Sequence, residues 1–413
     1  MNNYLELKPV LNLMTRHKRS LTIGAIFVTA LSCFTGSLFA QSTDQPEALE
    51  TQAADNATRQ TTINSPDFDT CGTLCVLADG QQDGSADDKD AATLQVTMNW
   101  SKFAYVDSGY RSSTAMHSSG LIVEVHDSTN EVYATGSWYH IGKVNASGTK
   151  VDWGPSRHLT CCFAMYPSVA ITNEGYVIFT FSTGKSKKDS LLKIMAGTLD
   201  VNGGVDQTIQ WKTERLPFDS GYHNTLSVNA NGVIAEAHES GSGGKGLYYR
   251  LGHLKDPANG DFSVVWDTGD YGKNYADGIN PHISINDSGE VVEVHQASAN
   301  DHKLHYIRGK LKANSIEFNK SQPKYNDNGQ RPAVALLNDG YLVEVHDNGS
   351  SVYYRTGQLD AKDASKIEWS ETKSIPNGTD RESNSVSSNG YYAVATAYDD
   401  YYASLYSSVS VAP

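Results

Sequence analysis

The sequence predicts an all-β fold, a β-propeller of six four-stranded blades, and three observations predict it. Six glycines, Gly120, Gly175, Gly232, Gly289, Gly340 and Gly390, succeed one another at spacings of 55, 57, 57, 51 and 50 residues. Short runs of alternating apolar and polar residues flank each one, as in Pro281-His-Ile-Ser-Ile-Asn-Asp-Ser-Gly289 followed by Val292-Glu-Val-His295. Alternation at period two marks a strand. The fourth run of each unit carries one large aromatic residue, and a four-stranded unit of about fifty residues buries its faces only against copies of itself.

Each element follows in order. The first strand of a unit ends in the polar turn at the spaced glycine. The second reads Val-Glu-Val-His in three units, Val123 to His126, Val292 to His295 and Val343 to His346, and Ala235-Glu-Ala-His238 in a fourth. A third run closes on another glycine, as in Leu247-Tyr-Tyr-Arg-Leu-Gly252 and Val352-Tyr-Tyr-Arg-Thr-Gly357, and the fourth holds Trp153, Trp211, Trp266, Phe318 or Trp369. From about Arg381 to Pro413 there is room for three strands but no aromatic fourth. That strand stands at the other end of the domain, in Leu94 to Ser101, where Trp100-Ser101 aligns with Trp369-Ser370. The N-terminal strand is therefore expected to complete the last blade and close the ring. A seventh, degenerate blade between Thr70 and Asp90 is the alternative, and that segment is short and acidic.

Composition agrees with a turn-rich globular domain. The 413 residues include 35 Gly and 23 Tyr, with 39% hydrophobic and 19% charged residues, unlike a coiled coil or a disordered chain. Formal charge is −14, and the first forty residues hold four bases and one acid, which leaves −17 on the remainder. Nucleic acid and anionic membranes are poor partners for such a surface.

Residues 1–40 read as a secretory signal. Arg16-His17-Lys18-Arg19 precedes an apolar run from Leu21 to Ala40, which ends Ser37-Leu38-Phe39-Ala40 before Gln41. An uncleaved anchor is the alternative reading of that run. Residues 41–90, with eleven acids against two bases, read as a solvated linker, and residues 91–413 as the propeller. Cys71, Cys75, Cys161 and Cys162 would be exported, so disulfides are expected rather than zinc, with the pairing open. A secreted monomer without membrane attachment or cofactor is expected, and structural calcium in the loops stays open.

The repeat identifies residues to discount. Five of the six tryptophans occupy the fourth-strand position and read as packing, whereas Trp138 falls off the pattern and is freer to touch a ligand. Recurrent Glu and His on the second strands are expected to satisfy each other, the glutamates above all. Divergence is more informative. Immediately before the start of each first strand stand Arg111, Tyr166, His223, Asn280, Arg331 and Arg381, one per blade on a common rim. The second strand runs back toward that rim and would bring His126, His238, His295 and His346 near it. Unlike residues at one repeat position predict a basic funnel for an anionic ligand.

The residue types suggest a chemistry. Arginine matches a carboxylate or sulfate bidentately, which suits an acidic, uronate-containing polysaccharide. Elimination from a uronate needs a donor that neutralises the carboxylate, a base for the C5 proton and an acid for the leaving oxygen. Arg331 and Asn280 suit the first task; His223 and Tyr166 suit the others. Arg111, Arg381, Tyr222 and Trp138 complete the candidate binding set, and no metal is required.

The chain resembles secreted propellers of the sialidase-like repeat superfamily. Tyr222-His223-Asn224 is similar to the opening of a blade strand in β-propeller polysaccharide lyases, ulvan lyases among them. That resemblance implies elimination of acidic sugars by His223, Tyr166 and a ring arginine, although ulvan lyases of this type have seven blades. Tyr110-Arg111-Ser112 stands where sialidases carry Tyr-Arg-Ile-Pro, but the Ser-x-Asp-x-Gly-x-x-Trp box of sialidases is absent. A lectin is a third reading, with sugar sites repeated on the like second and third strands.

Overall fold

Residues that alternate in the sequence pair as antiparallel strands, interrupted by 3-10 turns at Lys187–Asp189 and Pro257–Asn259. The computed structural model describes residues 97–128, 136–160, 164–184, 187–241, 243–319, 323–379, 381–399 and 404–411. The leader, the linker and the four candidate disulfide cysteines lie outside the described residues. No helix among the described residues is long and apolar enough to cross a membrane.

Each repeat makes four passes. The inner strands are Tyr110–Met116, Met165–Ile171, the second half of Leu216–Val228, Ile279–Ile285, Gln330–Leu336 and Glu382–Ser388. Second strands such as Leu121–Asp127 and Tyr341–Asp347 pair with them, and third strands such as Ser137–Val144 and Ser351–Leu359 follow. The outer pass breaks in two, as in Ile367–Trp369 and Lys373–Thr379, both against Ser351–Leu359. Among the described residues the strands form five sheets, one of them nine-stranded. The large sheet arises because Leu216–Val228 leaves one repeat's outer edge, beside Leu191–Thr198, and continues unbroken as the next repeat's inner strand beside Ile234–Ser240. The arrangement is propeller-like: each inner strand packs on the next, and Glu382–Ser388 packs on Tyr110–Met116.

All six spaced glycines adopt left-handed φ, between 76° at Gly232 and 84° at Gly340 and Gly390, which explains their regularity, since a side chain there is disfavoured. Apolar cores lie between sheets. Val123 and Val125 pack with Val169 and Ile171 of the following repeat, while Ile122 packs with Val394 and Val409 of the last. This leaves Leu121–Asp127 buried along its whole length.

The fourth-strand aromatics pack as expected. Trp153 lies over Gly142 and Trp369 over Gly357, where an added Cβ would come within 2.5 and 2.8 Å of the indole. Three of the outer aromatics also meet a third-strand tyrosine of the preceding repeat: Trp211 meets Tyr139, Phe318 meets Tyr249 and Trp369 meets Tyr306. Trp100 meets Tyr354 in the same way, with ring centroids 5.7 Å apart, and the Tyr354 hydroxyl donates to the Met98 carbonyl at 3.0 Å. The Ser101 amide donates to Val409 O at 2.8 Å, as the Ser370 amide does to Thr356 O at 2.9 Å. Ala104–Ser108 then pairs with Ser404–Val411.

An inner strand exposes one edge of backbone toward the axis, and its amides need acceptors. The preceding repeat supplies them from side chains. Ser113 Oγ accepts from Val169 N, Ser168 Oγ from Leu226 N, Thr225 Oγ1 from Ile283 N, and Ser385 Oγ from Thr114 N, at 2.9 to 3.3 Å. His282 holds the same place in its repeat and accepts from Val334 N through Nδ1 at 3.3 Å. An imidazole in that role must be neutral, and burial pushes its pKa down to about 4. The unfolded chain binds this proton from pH 6.5 downward and the folded chain only near 4. Stability from the neutral ring is therefore full above 6.5 and falls by up to about 3 kcal/mol as the pH drops to 4. In urea unfolding at pH 7 and pH 4, His282→Ser, which restores the hydroxyl of the other repeats, should remove most of that difference; an unchanged difference would assign the acid sensitivity elsewhere.

Candidate functional site

The rim is built by one irregularity repeated. Pairing between inner and second strands slips between Tyr110 and Ser113, Met165 and Ser168, Tyr222 and Thr225, Ile279 and His282, and Gln330 and Ala333. At each slip a non-glycine residue takes left-handed φ: Arg111 at 46°, Tyr166 at 51°, His223 at 46°, Asn280 at 51° and Arg331 at 49°. This conformation costs roughly 1–2 kcal/mol per residue. It brings all five side chains to the lining of a single cavity of about 110 Å³, shared with Tyr398. Five of the six rim residues expected from the repeat thus converge.

Each of four rim residues is held by the residue sixteen positions on, at the far end of the second strand. Arg111 donates to Asp127 at 3.1 Å. Arg331 binds Asp347 bidentately, through Nε at 2.9 Å and a terminal nitrogen at 2.7 Å. Asn280 donates to Gln296 Oε1 at 3.3 Å, and His223 Nδ1 bonds Glu239 Oε1. All four partners are buried. These partners escaped the sequence reading, although each directly follows the recurrent second-strand histidine and changes in step with the rim. They also correct the expected basic funnel. A guanidinium turned into a partly buried rim requires a counter-charge; Asp347 supplies it to Arg331, and Asp127, which burial pushes up to about 7, supplies it to Arg111 only in part at neutral pH.

The densest part of the site lies between the second and third repeats. The Tyr166 ring stands edge-on to His223 with centroids 3.8 Å apart and 4.6 Å from Tyr222, whose hydroxyl donates to that of Tyr166 at 3.4 Å. The Arg111 guanidinium covers the Tyr166 ring at 4.4 Å. Burial raises the Tyr166 phenol, so it carries its proton at neutral pH. Burial would also raise Glu239, but His223, the Asn280 amide at 2.8 Å and Lys187 hold that carboxylate down at about 2. Asp127 differs: burial pushes it up to about 7 against the pull of Arg111. With Nδ1 of His223 engaged by Glu239, Nε2 is the nitrogen that can serve a ligand.

Other expected residues lie elsewhere. His126, His238, His295 and His346 are buried, each with Nδ1 on the glutamate two residues before it, so the likeness of the second strands is packing and these rings do not reach the cavity. Trp138 is on the pattern of the third strand: it pairs with His126 as Tyr353 pairs with His346, its ring meets His158 edge-on at 5.0 Å, and it does not line the cavity. Arg381 bonds Asn377 O and covers the Tyr406 ring at 3.8 Å, and it does not line the cavity. Its repeat is offset: Arg111 precedes the hydroxyl-bearing Ser113 by two residues, whereas Arg381 precedes Ser385 by four. One cluster among the described residues has the composition of a metal site, Glu124, His126 and His140, and none of the three lines the cavity.

No protein family and no curated protein matches the chain. Among solved structures, a mutant of the NanB sialidase from Streptococcus pneumoniae superposes with a TM-score of 0.51 at 9% identity, over 79% of this chain and 72% of that one. NanB with optactamide gives 0.51 at 8% identity, over 74% and 68%. The α-L-arabinanase of Penicillium chrysogenum complexed with arabinobiose covers 76% of this chain and 98% of its own at 11% identity, with a TM-score of 0.46. At 8 and 9% identity the likeness to NanB is one of fold alone: the chain is an all-β, propeller-like protein.

Proposed function

We propose that the chain is a secreted six-bladed β-propeller, closed by its N-terminal strand, that acts on a uronate-containing polysaccharide by β-elimination. The observation that carries this reading is the His223–Glu239 pair set against the protonated Tyr166 phenol in one axial cavity. His223 Nε2 takes the C5 proton of the uronate. The electrons of that C–H bond form the C4–C5 double bond, the C4–O bond breaks, and the leaving oxygen takes the Tyr166 proton. Glu239 fixes the tautomer and stabilises the imidazolium that forms, a positioning role like that of the carboxylate in other His dyads. Asn280 and Arg331 neutralise the substrate carboxylate. Because Asp347 balances Arg331 and Asp127 balances Arg111 in part, recognition rests on directed N–H donors as well as on charge.

The test mixes the purified protein separately with ulvan, alginate, pectate, glucuronan and glycosaminoglycans and follows the ultraviolet absorbance of an unsaturated uronate. A rise with one polymer is expected, and a flat trace across the panel would sink the proposal. Against the active polymer, His223→Gln, which keeps a donor for Glu239, and Tyr166→Phe should each lower kcat by about 10²-fold or more with binding retained. Unchanged turnover in both would remove them from the mechanism.

Arg331 has a second duty. Arg331→Ala leaves Asp347 buried without its bidentate partner, and urea unfolding should show a loss of about 3–5 kcal/mol. A loss below about 1 kcal/mol would mean that the pair is dispensable to the fold.

A further inference from the structure

A second polar cluster lies where the N-terminal strand meets the first repeat. His126 and His140 are 1% and 5% exposed at the side chain, and Asp107, on the strand Ala104–Ser108, is 29% exposed. His126 Nδ1 donates to Glu124 at 3.0 Å, and His140 Nδ1 donates to the Gly154 carbonyl at 2.9 Å. A carbonyl or carboxylate only accepts, so both rings carry hydrogen on Nδ1 and turn the other nitrogen inward. Both Nε2 atoms face one oxygen, Asp107 Oδ2, from 3.9 Å for His126 and 2.9 Å for His140. Its other oxygen accepts from the Ser108 amide at 2.7 Å. With Nδ1 already protonated on both rings, two Nε2 atoms converging on a carboxylate oxygen repel it unless a proton or a metal cation sits among them.

Comparison of the repeats shows where the first departs from its sisters. Asp219, Glu236 and His238 recur at the spacing of Asp107, Glu124 and His126, as do Asp327, Glu344 and His346. In those repeats the third-strand residue paired with the glutamate is an arginine, Arg250 or Arg355, 3.6 Å from Asp219 and 3.8 Å from Asp327. In the first repeat the residue paired with Glu124 is His140. A permanent guanidinium charge is thus exchanged for a ring nitrogen that binds metals.

We propose that Asp107, His126 and His140 bind one divalent transition-metal ion of the zinc type, with Glu124 and Gly154 O as the outer groups that orient the two rings. Nitrogen and oxygen ligands at about 2.0–2.1 Å from a tetrahedral ion stand roughly 3.3 Å apart, and the two spacings bracket that value. A histidine ligand whose other N–H goes to a carboxylate or carbonyl is the usual arrangement around such ions. Its function is structural. The ion ties the strand that pairs with the C-terminal strand Ser404–Val411 to the first sheet, as the arginine ties the corresponding edges elsewhere.

The experiment strips the full protein of metal with a chelator, then titrates it with Zn²⁺ and, for spectroscopy, Co²⁺. One equivalent should bind, Co²⁺ should give the visible bands of a four-coordinate nitrogen–oxygen site, and Zn²⁺ should raise the unfolding temperature. Glu124→Gln should weaken binding about 10- to 100-fold. His140→Arg, which restores the residue of the sister repeats, should bind no metal at this site and be stable without it. If the folded wild type binds no metal, a shared proton fills the place and the proposal fails. A thiolate-to-cobalt charge-transfer band, with binding retained in His140→Arg, would put the ion on cysteines and overturn it equally.

Discussion

Everything in this molecule depends on how the inner strands dispose of their open edges. A sheet edge facing a narrow axis cannot take on another strand, yet its amides cannot go unbonded. The side chains of Ser113, Ser168, Thr225, His282 and Ser385 answer that need, each accepting from the next repeat. The bonds run one way round, and the one from Ser385 to Thr114 joins the last inner strand to the first. Sheets anchored in this way have little freedom to slide, so residues at their ends keep fixed distances. A cavity lined from six separate repeats can be preorganised only on such a frame.

The rim uses that rigidity to hold a strained backbone. Left-handed φ at five non-glycine residues persists because the strand on either side of each slip is locked in register. Strain aims the side chains inward, and the buried acid or amide sixteen residues on fixes their final orientation. The charge of the rim arginines is therefore largely offset in a protein of net charge −14, and selectivity comes in good part from the placement of donors and acceptors.

Much of this was legible in the sequence, for physical reasons that also explain what was not. A turn that demands φ > 0 selects glycine, so the six turns stand out at fixed spacing, and counting back from them finds Arg111, Tyr166, His223, Asn280 and Arg331 at one cavity. The same count fails at Arg381, because the last repeat has two residues fewer between its hydroxyl, Ser385, and the turn glycine Gly390 than the first has between Ser113 and Gly120, an offset that shows only through the cross-strand partner Thr114. The second-strand histidines were expected near the rim because their strand runs toward it. Period two puts them on the face that packs the preceding sheet, and a neighbouring glutamate makes that burial tolerable. Trp138 looked exceptional because it lies on a third strand, at the place of Tyr353, and not on a fourth.

The sixteen-residue coupling at the rim has a consequence for how such a site can change over generations. Arg goes with Asp, His with Glu, Asn with Gln. Replacing one member alone leaves a buried charge stranded, so the heritable unit of specificity is the couple, and a lineage moving from one recognition pattern to another needs a permissive step. Asn280 with Gln296 illustrates such a step: an uncharged couple from which either member can be exchanged without isolating an ion. New preferences would therefore be acquired blade by blade through neutral couples, while the turns and the hydroxyl ring stay as they are.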